Sequence, residues 1–279
     1  MAQDINEFYF EANTARKLAK AGKIDSAIST YENAFKKVDY VFITYLERVK
    51  RLAELNNDNA RVKKYTQQIK KQWEGTSPKL RAIIDSLIIV DQYVRTGKSS
   101  RKMKYYVNCK LYNHNCNVQS KRYKESKKWF DESERKDSLN MAFLLNLFEQ
   151  YGFIGEELVG VNGFLSVRAI LLHYDRDTTN AVLEPILEKA REEGKIVPWY
   201  MVESLDRHLG GKYNIQKYWL WPYVDKEKLQ FTEADIPQIM KLREDIGIYD
   251  LWVKQEIDKF NIYTIFYGKQ WRLINYRKN

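Results

Sequence analysis

Apolar side chains recur at three- and four-residue intervals along most of this chain, a spacing that fits amphipathic helices and little else. Phe8, Ala12, Ala15, Leu18 and Ala19 share one such face, as do Leu80, Ile83, Ile84, Leu87 and Ile88, and later Leu139, Phe143, Leu144, Leu147 and Phe148. Five prolines and twelve glycines in 279 residues are too few for an all-β chain built on turns. With 14% aromatic residues, among them 20 Tyr and 7 Trp, the chain has ample material for a packed core. The expected fold class is mainly α, with N-terminal hairpins packed on a larger helical domain.

Residues 4–37 read as two helices broken at Ala21-Gly22-Lys23, with Asp25 placed to cap the second. Ala15 and Ala27 fall where two helices approach closely, Gly22 falls at the turn, and Tyr31, Ala34 and Phe35 follow. This hairpin resembles a tetratricopeptide repeat. Its closing proline is missing; Asp39 lies near that place. A poorer copy spans about 40–73, with Leu46, Val49, Leu52, Leu55, Val62, Tyr65 and Ile69 as its apolar face. Two repeats leave a face uncovered, so residues 1–75 are expected to dock on the following domain or on a protein partner.

Gly75-Thr76-Ser77-Pro78 marks the boundary, with Ser77 as cap and Pro78 at the first helical position. A helical domain is expected over 76–260, interrupted by a basic insertion at 96–136. Helices are expected at 78–95, near 119–134, from Asp137 to Tyr151, at 164–174, at 178–193 with a kink at Pro185, from Pro198 to about Leu209, and near 235–246 and 249–259. Alternation around Gly268-Lys269 predicts a small hairpin in the tail 261–279.

The net charge of +10 is uneven, since residues 96–136 hold 12 Lys/Arg against 4 Asp/Glu. Such a segment can attract a polyanion or be a solvated insertion. No nucleic-acid signature, signal peptide or membrane-length apolar run is present. The chain reads as cytoplasmic as written, with an exported form starting near Ala2 as the alternative. Cys109 and Cys116 leave free thiols, a disulfide and a metal site open, although with His114 alone they fall short of a zinc set.

From Leu80 to about Leu251 several short blocks follow in order. They are Asp91-Gln92-Tyr93-Val94-Arg95; Asp137-x-x-Asn140 leading to Tyr151-Gly152-Phe153 and Leu158-Val159-Gly160; His173 with Asp175 and Asp177; Asp206-Arg207 with Gly211 and Gln216; and Arg243 with Gly247-Ile248. In that order and spacing they resemble a bacterial family known only as a domain of unknown function. Two departures stand out. Leu172 occupies the place of the family's Gln before the His, and Lys217-Tyr218-Trp219-Leu220 lies where a Tyr-Gly-Thr-Gln block is expected. The resemblance implies a helical domain with a shared polar site and no particular reaction.

The residues themselves point the same way. Asp91 and Arg95 are four apart on one helical face, with Gln92 alongside; they can clamp a ligand or each other. His173 ends an apolar helix, where the dipole favours positive charge. It can act as acid or base if Asp91, Asp175 or Asp206 orients its other nitrogen. Asp137 reads most simply as an N-cap, with Asn140 one turn on. Asp206 and Arg207 are adjacent and need separate partners. Tyr213, Tyr218, Trp219, Trp221 and Tyr223 form an aromatic stretch suited to stacking or to a core.

Two functions follow. The first is a binding protein with a helical-repeat N-terminus and a polar cleft. The alternative is a hydrolase or transferase with His173, Asp91 and Asp206 as its acid–base set and Gln92, Arg95, Asn140, Arg207 and Gln216 holding the substrate. No nucleophile motif, phosphate loop or zinc motif supports the second, and no cofactor is implied.

Overall fold

A computed structural model describes residues 4–111, 116–174, 181–213, 217–218 and 236–248, and three backbone strands between 252 and 275. The chain is mainly helical. Its helices are α1 (Ile5–Lys20), α2 (Ile24–Phe35), α3 (Ile43–Leu55), α4 (Asn59–Gln72), α5 (Pro78–Arg95), α6 (Gly97–Leu111), α7 (Lys121–Tyr151), α8 (Glu156–His173), α9 (Leu183–Glu192), α10 (Pro198–Tyr213) and α11 (Ile236–Glu244). Strands β1 (Trp252–Ile257), β2 (Phe260–Tyr267) and β3 (Gln270–Asn275) pair antiparallel in the order β1-β2-β3. Two compact units result. One is Met1–Glu74 with Asp177–Asn279, and the other is Gly75–Arg176. The stretch expected as one domain over 76–260 is therefore divided between them.

In the first unit, Phe8, Tyr9, Ala15, Ile28, Tyr31, Leu46, Val49 and Tyr65 form a buried core that is continuous with Val197, against which Trp199 and Tyr200 pack. The Trp199 ring lies 6.0 Å from Tyr45, and the Arg48 guanidinium lies over both. Burial of each large aliphatic or Phe side chain in this core contributes roughly 1.5–3 kcal/mol. The apolar face that two hairpins cannot cover is thus met by residues from beyond 177. Gly247 has a left-handed φ of +83°, and a Cβ there would come within 2.7 Å of the Tyr9 ring, so both backbone and space require glycine.

Local signals differ from expectation in several places. Asp4 and Asp58 cap α1 and α4. Asp25 does not cap α2, whose N-cap is Lys23; its carboxylate accepts from Asn56 Nδ2 at 2.6 Å instead. Pro185 sits in the first turn of α9, where its missing N–H breaks no bond and no kink follows. α10, expected to end at about Leu209, continues through Gly210-Gly211 to Tyr213. The helix expected near 249–259 is replaced by β1, which pairs with β2 from Trp252↔Ile265 to Ile257↔Phe260. Strand pairing of a run rich in β-branched and aromatic residues outweighs its weak helical spacing.

The second unit joins α5 to α8. Ser77 caps α5, and the N–H groups of Thr76 and Ser77 donate to the carbonyls of Glu157 and Leu158. Gly75 makes that approach possible: its φ is +73°, and a Cβ would lie 2.4 Å from the Gly160 nitrogen. Gly160 kinks α8, which begins at Glu156 rather than at the expected 164. The separate helices expected near 119–134 and from Asp137 are one element, α7. Its inward face holds Asp137, Asn140, Met141, Leu144, Leu147 and Phe148, which leaves Leu139 and Phe143, expected inward, exposed.

The basic segment contributes α6 and the first half of α7. It forms the α6–α7 hairpin, with Tyr106 against Tyr123 and Phe130 and Lys102 over the Trp129 ring at 4.1 Å. A Cys109–Cys116 disulfide, Cα atoms 5.9 Å apart, closes the α6 end. Among the described residues, no helix is long and apolar enough to cross a membrane.

Candidate functional site

The last turn of α5, the middle of α7 and the end of α8 converge on one charged cluster. Asp91, fully buried, is its hub. Its carboxylate faces His173 Nδ1 at 2.9 Å from each oxygen. Arg95 Nη1 donates to Oδ1 at 3.1 Å and Gln92 Nε2 to Oδ2 at 2.7 Å. The i,i+4 spacing of Asp91 and Arg95 brings this about, and Arg95 also donates to the Asp91 carbonyl at 2.9 Å. A buried carboxylate is tolerated when its lone pairs are filled in this way.

Arg95 turns its other guanidinium nitrogen to α7, where Nη2 donates to Asp137 Oδ2 at 2.5 Å. Asp137 is thus no N-cap. It sits inside α7, 8% exposed, and its Oδ1 has no hydrogen-bond partner among the described residues. Burial raises its carboxyl above the usual range, Arg95 opposes that rise, and the Asp91 charge adds to it. Asn140, also buried, reaches the Leu87 carbonyl at 3.5 Å and so braces α7 on α5.

Among the described residues, His173 is held by one ring nitrogen; its side chain retains 17% exposure and that of Arg95 20%. With Nδ1 donating to Asp91, a neutral imidazole presents Nε2 as an acceptor. The arrangement can exchange a proton or accept a hydrogen bond. Arg95, by contrast, is spent on two carboxylates and is not a clamp for an anion.

Asp206 and Arg207 belong to the other unit. Asp206 Oδ1 accepts from the backbone N–H groups of Lys217 and Tyr218, both at 3.0 Å. Arg243, fully buried, donates Nε to the Tyr218 carbonyl at 2.7 Å and Nη2 to the same oxygen. Burial pushes its guanidinium down to about 9, and the Asp206 charge opposes this, which leaves it charged at neutral pH. The carboxylate expected as part of an acid–base set therefore fastens a backbone segment. Arg207 is half-buried on α10. Gln216, Asp175, Asp177, Trp219, Trp221 and Tyr223 lie outside the described residues, as do the side chains of His114 and Tyr213; Tyr218 is buried.

Among the described residues, no group of three His, Cys, Asp or Glu side chains is placed to hold a metal. Comparison of the chain with protein-family models, curated proteins and solved structures found no match.

Proposed function

We propose that this chain is a binding protein whose second unit takes a small polar ligand at His173. The observation that carries this reading is the His173 Nδ1–Asp91 contact at 2.9 Å, which fixes the ring and leaves Nε2 for a ligand. Among the described residues the second ring nitrogen has no hydrogen-bond partner, and the ring is partly exposed. The blocks around Asp91, Asp137 and His173 carry the resemblance to the bacterial family of unknown function, and its shared polar site fits this cluster. The test is a ligand-observed magnetic-resonance screen of polar metabolites against wild type and His173→Gln. Binders lost in the variant support the reading; binders retained with equal affinity overturn it.

An acid–base enzyme is the second reading. It is favoured by the same carboxylate–imidazole pair, which suits general-base work, but it lacks a nucleophile and an open guanidinium.

The N-terminal hairpins are read as tetratricopeptide-like and as a protein-contact surface. Buried Ala15, Ala27, Tyr31 and Ala34 and the left-handed turn at Gly22 support that. A cavity of about 520 Å³ lies between α2 and α4, lined in part by Glu32, Lys36, Lys64 and Tyr65. The α6–α7 hairpin is read as the polyanion-binding element, because α6 carries no acidic residue. Weakening of heparin binding with added salt is the expected result; salt-independent binding contradicts it. The Cys109–Cys116 disulfide favours the exported alternative over the cytoplasmic one.

A further inference from the structure

The orphan oxygen of Asp137 narrows what the His173 site accepts. We propose that the site binds a ligand through an ammonium group, seated on Asp137 Oδ1 beside His173; this rests on the reading of His173 as a ligand contact. Asp137 Oδ1 is buried without a hydrogen-bond partner among the described residues, while its Oδ2 is held by Arg95. Burial raises the Asp137 carboxyl and the Arg95 guanidinium opposes that rise; once ionised, the carboxylate only accepts. Buried polar atoms are almost always satisfied, so an unfilled acceptor in a cluster with a partly exposed histidine calls for a donor.

The charges specify which donor. Asp91 and Asp137 contribute two negative charges and Arg95 one positive, so the cluster is negative whenever His173 is neutral. An anion would meet that charge, and the Arg95 guanidinium is already divided between two carboxylates. The neighbouring cation on α7, Lys136, lies over the Tyr93 ring at 4.8 Å and 3.7 Å from Glu132, so it does not neutralise the site. Neutral His173 offers a second acceptor at Nε2. Two acceptors and a net negative charge match an ammonium, which has three donors and a positive charge. A metal ion is a poorer fit, since no third ligand is placed among the described residues.

Single-function probes separate this from the broader reading. Propylammonium, 1-propanol and propionate are titrated at mildly alkaline pH against the protein, with the His173 ring resonances read by nuclear magnetic resonance in wild type and Asp137→Asn. The expected result is a saturable shift with propylammonium, a weaker one with propanol and none with propionate. In Asp137→Asn the ammonium affinity should fall roughly tenfold or more, while the dispersion of the remaining resonances, which reports an intact fold, is retained. A response to propionate or propanol equal to that of propylammonium, or undiminished ammonium binding in Asp137→Asn, overturns the ammonium assignment and leaves His173 as a ligand contact. No response to any probe overturns both.

Discussion

Each unit buries an Asp–Arg network, and the two use their polar groups differently. In the unit containing Asp206, both partners are turned on the backbone: the carboxylate takes the N–H groups of Lys217 and Tyr218, and Arg243 takes the Tyr218 carbonyl. In the unit containing Asp91, the side chains mostly hold one another, and Asp137 Oδ1 is left over. A network turned on the backbone fixes a segment of chain. A network closed on side chains with an acceptor to spare has a cost to stability, and such costs are tolerated where a ligand repays them.

The largest expected effect is in the first network. Arg243→Met leaves the Tyr218 carbonyl and the Asp206 charge without it, at a cost of about 3–5 kcal/mol, read as a shift in the denaturant midpoint. A loss under 1 kcal/mol would break the distinction from that side. Next, Asp206→Asn and Asp91→Asn each keep an acceptor but lose its charge, so each should cost about 1–3 kcal/mol. Only Asp91→Asn should also abolish binding of ligands that depend on His173. Equal effects on binding would erase the contrast.

The smallest and most telling effect concerns Asp137. Its carboxyl is raised above the ordinary range by burial, so the folded protein holds that proton more tightly than the unfolded chain does. The stability this group contributes is full below the unfolded-state value and is lost as pH rises through the folded one. Wild-type stability should therefore decline with rising pH just above the ordinary carboxylate range. Asp137→Asn should flatten that decline and be neutral or slightly stabilising near neutral pH. A variant with an unchanged slope would show that another group sets it.

Much of the first site was legible from local spacing. Asp91, Gln92 and Arg95 share a helical face by their numbers alone, and His173 ends an apolar run, so their chemistry could be named before their contacts. Asp137 was not legible as a site residue. Asp before an apolar stretch is the usual N-cap signal, and only the continuation of α7 from Lys121 places it mid-helix. The role of Asp206 depends on a backbone segment eleven residues away, which no periodicity reveals. The strand Trp252–Ile257 is not legible locally, because so short a segment fits either period and its partner strand decides. The spacing of Cys109 and Cys116 allowed pairing without requiring it.

The central claim is that Asp91 fixes the His173 ring and leaves Nε2 for a ligand. A long-range proton–nitrogen spectrum of the imidazole rings tests it, with His114 and His208 assigned by substitution. The account predicts that neutral His173 carries its proton on Nδ1. A neutral His173 protonated on Nε2 would contradict it.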